Sequence, residues 1–161
     1  MLIPNFHKKK FLNSECYSSA EFLEEQEDIL QLPDGFTLLC QNLESMDPDI
    51  RSAIRYCRQR GLSNKDLWFF KVGTCKSGRH RRKVIFPSFS QEGNLNYYVS
   101  RSIDEIQRKY SNADVKKTEI IFNEINIDWS KELVLVEGPF DAVKCTTNTA
   151  CLLGSDLNLG S

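Results

Sequence analysis

Residues 133–144 read LVLVEGPFDAVK, an apolar run that ends abruptly in an acid, a glycine and a proline. The stretch from Leu133 to Val136 is too short for a helix and too uniformly apolar for a strand with one wet face. It is expected to be a parallel strand covered on both sides. Gly138 permits a tight turn and Pro139 suits the first turn of a helix, so the stretch predicts strand, turn, helix. The run ACLL at 150–153 repeats the apolar logic, and together they predict one parallel βαβ unit. In open α/β sheets, ligands collect beyond the carboxyl ends of the strands. Glu137 stands at that end, as do Gly154 and Ser155 after the second strand. Asp141 falls in the first helical turn and is expected on the same side as Glu137. Two readings stay open at this level. The carboxylates could simply favour the helix N-terminus, at about 0.3–1 kcal/mol each. They could instead hold Mg²⁺ or Mn²⁺, hard cations that take oxygen ligands and leave positions for phosphates, with Glu137 also able to move protons.

The chain around this stretch has 161 residues, 40% hydrophobic and 27% charged, which suits one medium domain or two small lobes. No apolar stretch approaches the roughly 18 residues that cross a bilayer, and the N-terminus lacks the apolar core and cleavage site of a secretory signal. A cytoplasmic protein without a membrane partner is expected. Six cysteines are scattered without a CxxC, and His7 and His80 are the only histidines. That excludes a zinc ribbon or finger and predicts buried thiols in a reducing compartment. The net charge of -1 conceals segregation. Ser14 to Asp49 carries ten acids and no Lys or Arg, whereas Lys71 to Lys117 carries eleven Lys or Arg against four acids. A basic middle predicts a surface for a polyanion, phosphate being the usual partner.

Residues 1–35 are expected to form an acidic arm or linker that ends at the Pro33-Asp34-Gly35 turn. MDPDIRSAIRYCRQRG, 46–61, is a helix with Asp47 as cap, Pro48 in the first turn, Asp49 suited to the dipole and Gly61 closing it. Ile50, Ala53, Ile54 and Cys57 line its apolar face. A second short helix follows, capped by Ser63. RKVIFPSF and LNYYVSRS then form a hairpin around SQEGN. Pro87 marks the first as an edge strand or a bulged one. Residues 104–124 are expected to be mainly loop with a short apolar anchor.

RKVIFPSF, YYVSRSI, RKYSNADVKKTEIIFN, LVLVEGPFDAVK and CLLGSDL occur in this order. From about Leu32 onward, the chain resembles the catalytic core of bacterial-type, DnaG-like DNA primases, particularly their phage relatives. The resemblance implies an α+β / α/β architecture with three parts. The arm covers 1–35, a small helical and mixed β basic subdomain covers 36–130, and an incomplete Toprim-type parallel βαβ unit covers 131–161. It places Glu137 on the family's first Toprim acid and Asp141 on the aspartate of the same EGxxD motif, as catalytic residues and ligands of Mg²⁺ or Mn²⁺. Gly138 and Gly154 fall at the turns of that edge. Arg81, Lys83, Arg101, Lys109, Tyr110 and Asn112 fall on the groove for template and nucleotide. The implied function is metal-dependent synthesis of short RNA primers on single-stranded DNA during replication, from ribonucleotides and with a replicative helicase as a further partner. The family's next motif, an aspartate pair, has no counterpart after Asp156. The resemblance therefore implies a fragment, a split product or half of a two-part enzyme, inactive by itself and completed by a separate chain. The alternatives are a non-catalytic nucleic-acid-binding module, or another Toprim enzyme such as a topoisomerase or an OLD-type nuclease.

Overall fold

The structure, a computed structural model, describes residues 29–105, 110–115, 120–145 and 148–153. Most of the acidic arm lies outside them. The turn that ends it is present: the Phe36 N–H donates to the Pro33 carbonyl at 3.0 Å, and Gly35 takes a φ of 73°, a conformation glycine adopts without steric cost.

Helix α1 (Pro48–Gln59) starts as its sequence dictates. Asp47 accepts from the backbone N–H groups of Asp49 and Ile50, Pro48 occupies the first turn, and Gly61 follows the end with a φ of 87°. Ile50, Ala53 and Cys57 are buried, while Ile54 is half-buried. Helix α2 (Asn64–Phe69) carries a capping box in which Ser63 and Asp66 satisfy each other's backbone donors.

A four-stranded antiparallel sheet follows the order β1 (Phe36–Leu38), β2 (Gly73–Cys75), β3 (Lys83–Phe89), β4 (Leu95–Ser102). β1 and β2 have three residues each, too few to leave an alternation in the sequence. Gly73 lies against the Phe36 ring so closely that a side chain there would collide with it. Pro87 corrects one half of the hairpin expectation. β3 is an inner strand, paired with both β2 and β4, but its pairing with β2 is confined to Gly73 and Ile85. Pro87 lies beyond that pair and just before a register shift at Ser88/Phe89, so its missing N–H breaks no ladder bond to β2. On the free side of β4, Ser111 N–H donates to the Ser100 carbonyl and Ala113 N–H to the Tyr98 carbonyl. The segment that reads as loop therefore extends the sheet.

A second sheet pairs β5 (Val134–Val136) with β6 (Thr149–Cys151) in parallel, joined by helix α3 (Pro139–Lys144). The expected cover on both faces of β5 is not there: Val134 and Leu135 are 39% and 47% exposed. β6 is the buried member, bridged on its other side to Phe122. The apolar run thus marks a strand that leaves part of its surface open among the described residues.

Asp49 does more than favour the helix dipole. It is 8% exposed and accepts from Arg81 Nε at 2.7 Å and Arg82 Nη1 at 3.1 Å, and Arg82 also grips Asp104. These bonds, Arg81's foremost, hold Asp49 below the usual carboxylate range against the opposing effect of burial; Arg82 does the same for Asp104. Their contribution is complete above pH about 3.9 and is lost as pH falls through their depressed values. His80 acts in a separate window. Its buried ring accepts from Arg79 Nε at 2.9 Å, which places its own proton on Nδ1, 3.0 Å from Ser100 Oγ. Burial, then Arg79 and Lys83, push its pKa down from 6.5 to about 4. A base whose folded pKa is depressed stabilises fully above its unfolded value and loses that contribution as pH falls. The urea midpoint is therefore expected to drop between pH 6.5 and 4, and His80→Gln to flatten that drop. An unchanged slope in the variant would assign the drop to other groups.

Candidate functional site

Strand alternation decides which basic residues can meet the acidic edge. Directly paired residues share a sheet face, and neighbours along a strand face opposite ways. Val84 pairs with Arg101 and Phe86 with Val99, whereas Lys83 pairs with Ser102. Arg101 therefore shares a face with Phe86 and Val99, and Lys83 faces the other side with its residue buried. Arg81 is engaged with Asp49 at the start of α1. Of the expected groove residues, Arg81 and Lys83 are thus set apart from Arg101.

The Arg101 face leads to an open cleft of about 540 Å³. Its walls include Val99, Tyr110 and Asn112 on the sheet side, and Glu137, Gly138 and Pro139 at the β5–α3 turn. Tyr110 bridges Arg101 across the strand edge, its hydroxyl accepts from Arg101 Nη1 at 2.9 Å, and the guanidinium lies 5.4 Å from its ring centre. Asn112 is oriented by its Oδ1, which accepts from Ser100 N–H at 3.3 Å. Glu137 follows β5 directly and is exposed at the cleft. Asp141 stands behind the turn: a Cβ placed on Gly138 would come 4.0 Å from its Oδ2. Lys109 and Gly154 lie outside the described residues.

Glu137 therefore shares the cleft with Tyr110 and Asn112, with Asp141 in the first turn of the adjoining helix and Arg101 bonded to Tyr110. No group of three or more His, Cys, Asp or Glu side chains that could hold a metal occurs among the described residues. Two carboxylates still suit Mg²⁺, which is commonly bound through one or two of them together with water and phosphate oxygens. The buried thiols offer no soft alternative. Burial pushes Cys57 and Cys151 up to about 12 and Cys75 to about 11, so they stay protonated.

No protein-family model and no curated protein matches the chain. Solved structures do. The chain is 22% identical to the E. coli primase catalytic core, with a TM-score of 0.57, over 72% of its own length and 51% of that chain. The chain has the fold of a DnaG primase catalytic core. The RNA polymerase domain of Mycobacterium tuberculosis DnaG, solved with a double-stranded DNA oligomer carrying a 6-nucleotide overhang, aligns at 16% identity and a TM-score of 0.58, over 73% of this chain and 51% of that one. A DnaG catalytic domain bound to single-stranded DNA aligns at 21% identity and a TM-score of 0.57, over 73% and 53%. The chain thus spans about half the length of these DnaG cores. No helix among the described residues is long and apolar enough to cross a membrane.

The sequence leaves two members of this neighbourhood unmarked. Phe140, in the first turn of α3, is 7% exposed and meets Tyr56 and Phe86 edge-on, at ring separations of 5.9 and 4.8 Å. Arg60, at the end of α1, lies over the same ring at 5.0 Å. In the sequence they are one aromatic among several and one of four arginines on a helix. Phe140 stands within the acidic stretch itself, and only the fold brings Arg60 to its ring.

Proposed function

We propose that the chain is the nucleotidyl-transfer portion of a DNA primase, acting on single-stranded DNA and ribonucleotides with Mg²⁺ or Mn²⁺. The observation that carries this reading is Glu137, an acid at the end of a parallel strand, opening onto a cleft that Tyr110 also lines, the tyrosine in turn being bonded by Arg101. The fold supports it, since a core of this type has been solved with single-stranded DNA bound. β5 and β6 are read as the beginning of a Toprim sheet. The open surface of Val134 and Leu135 is where further strands would pack, from this polypeptide or a separate chain.

Glu137 and Asp141 would hold the cation, which when bound lowers the pKa of a coordinated hydroxyl and neutralises charge on a phosphoryl oxygen. The protein's own part is positioning. Arg101 neutralises a backbone or nucleotide phosphate, and its bond from Nη1 to Tyr110 fixes the fork in one orientation. Tyr110, 41% exposed, offers a face on which a base can stack. Asn112 has its carbonyl oxygen held by the Ser100 N–H, which fixes its side chain in the cleft wall.

Extension of labelled ribonucleotides on single-stranded DNA, with Mg²⁺ or Mn²⁺, tests the activity. Binding is tested separately by anisotropy of a labelled oligonucleotide across a salt series. Arg101→Ala is expected to weaken binding and to reduce the slope of log affinity against log salt by about 0.7, the value for one phosphate contact on a single strand. An unchanged slope would remove Arg101 from the groove. Binding without product, in the presence of either cation, would favour a non-catalytic nucleic-acid module.

A further inference from the structure

Behind the antiparallel sheet, on the face away from the cleft, lies an apolar groove of about 380 Å³. Leu32, Leu38, Phe69, Pro87, Phe89 and Ile125 are among its walls. Its placement follows from register. Leu38 pairs with Gly73, Gly73 pairs with Ile85, and Pro87 is two residues beyond Ile85, so these positions share one face. Arg101 pairs with Val84 and faces the other way. Phe69 and Ile125 are 40% and 47% exposed at the groove. An open apolar surface of this kind marks a place where something packs.

Three features of the chain identify the occupant. The first is where the described residues begin. Leu30 and Leu32 pack against the core, Leu32 in the groove wall itself, whereas Ile29 is 85% exposed. The chain therefore enters the fold at this groove. The second is what precedes it. Phe22 and Leu23 are the nearest apolar residues before Ile29, and Glu24, Glu25, Gln26, Glu27 and Asp28 stand between. The nine residue steps from Leu23 to Leu32 reach at most about 32 Å, and so short a tether gives an effective concentration on the order of mM. Docking too weak to hold a separate peptide is thus populated within one chain. The third is charge. Lys71 is in the groove wall, its Nζ donating to the Trp68 carbonyl at 2.9 Å and lying 4.1 Å from the Trp68 ring. Lys65 stands on an adjoining hollow that shares Phe69, Phe70 and Asn126 with the groove. The ion pairs among the described residues involve neither lysine. The acids of 24–28 supply the charge they lack.

We infer that Phe22 and Leu23 of the acidic arm dock in this groove, with Glu24, Glu25, Glu27 and Asp28 passing Lys71 and Lys65. The arm is then a strap behind the sheet. Its carboxylates are held on the face opposite Arg101, where they do not compete with a polyanion for the cleft. The docking needs neither nucleic acid nor metal, so it stands apart from the chemistry of the cleft.

The test uses the full chain. Phe22→p-benzoylphenylalanine places a photoreactive ketone in the arm, and the adducts formed on irradiation are mapped by mass spectrometry. Adducts within one chain are expected on peptides that contain Leu38, Phe69, Pro87 or Ile125. The same adducts found only in covalent dimers would overturn the inference by making a second copy's arm the occupant. Adducts elsewhere, or none, would overturn the docking and leave the groove to a separate polypeptide. The second measurement is cleavage by glutamyl endopeptidase after Glu24, Glu25 and Glu27, which follows the population of the undocked arm. Ile125→Gln and the double variant Phe22→Ser, Leu23→Ser are each expected to raise the rate roughly tenfold, the change that losing one buried aliphatic contact makes in an equilibrium. The double variant alters none of the described residues, so a rise there is not misfolding of the sheet. Lys71→Asn, which tolerates the positive φ of that position, is expected to raise the rate as well. Equal rates in the unmodified chain and the double variant overturn the docking. A rise in the double variant alone, with Ile125→Gln and Lys71→Asn unchanged, overturns this groove as its place.

Discussion

Glu137→Gln is expected to lower Mn²⁺ affinity at the cleft by at least about 10–100-fold, the range seen even for groups that only support a ligand. On the proposed function, nucleotidyl transfer is expected to fall by about 10²–10³, the loss typical of removing one preorganised electrostatic group. Gln keeps the shape of the side chain and one carbonyl oxygen, so the change isolates charge. This separates the two readings that the sequence leaves open. If Glu137 merely favours the N-terminus of α3, the substitution costs no more than about 1 kcal/mol of stability and leaves metal binding alone. If it is a ligand, stability changes little and the metal response disappears. Paramagnetic broadening of backbone NMR signals reports this without turnover. Mn²⁺ is expected to broaden Gly138, Asp141 and Tyr110 in the unmodified chain and to spare them in the variant. Broadening that persists in Glu137→Gln would move the cation elsewhere.

What the sequence discloses and what it withholds follow from the range of the forces involved. α1 is legible because Asp47, Pro48 and Gly61 act on their own backbone neighbours. The β3–β4 hairpin is legible because alternating apolar residues enclose a glycine-containing turn, and β5 because its run ends at Glu137-Gly138-Pro139. β1 and β2 escape notice because three residues carry no period, and Gly73 is in its place for the sake of Phe36, far away in the chain. The same limit applies to the site. The chain order shows Glu137 and the Tyr110–Asn112 stretch, and the fold sets them around one cleft. It cannot show that Arg81 is taken up by Asp49, or that Lys83 faces away from Arg101 by a single step of strand alternation. Charge counting treats those basic residues alike. Pairing and register distinguish them. The exposed face of β5 makes the converse point, since an apolar run reports that burial is wanted, not that the described residues provide it.

Phe140→Ala is expected to be the most destabilising of these substitutions, at about 3–5 kcal/mol, the usual cost of a buried phenylalanine. The ring does more than fill volume. It is met by Tyr56 from α1, by Phe86 from β3, by Arg60 at the end of α1 and by Arg101 from β4. Edge-on aromatic pairs add about 0.5–1.5 kcal/mol each beyond the area they bury, and the two guanidinium groups lose the surface that orients them. Through Phe86 the ring ties α3 to the antiparallel sheet, which is why the loss should reach binding as well. The expected pattern is a large fall in the urea midpoint together with weaker single-stranded DNA binding in conditions where the variant is still folded. Phe140→Leu, which keeps most of the apolar volume but not the ring, is expected to recover much of the stability and little of the binding. A variant pair in which stability and DNA affinity return together would reduce Phe140 to packing. A loss below about 1 kcal/mol for alanine, well under the range for a filled site, would mean that α3 is not docked through this ring at all.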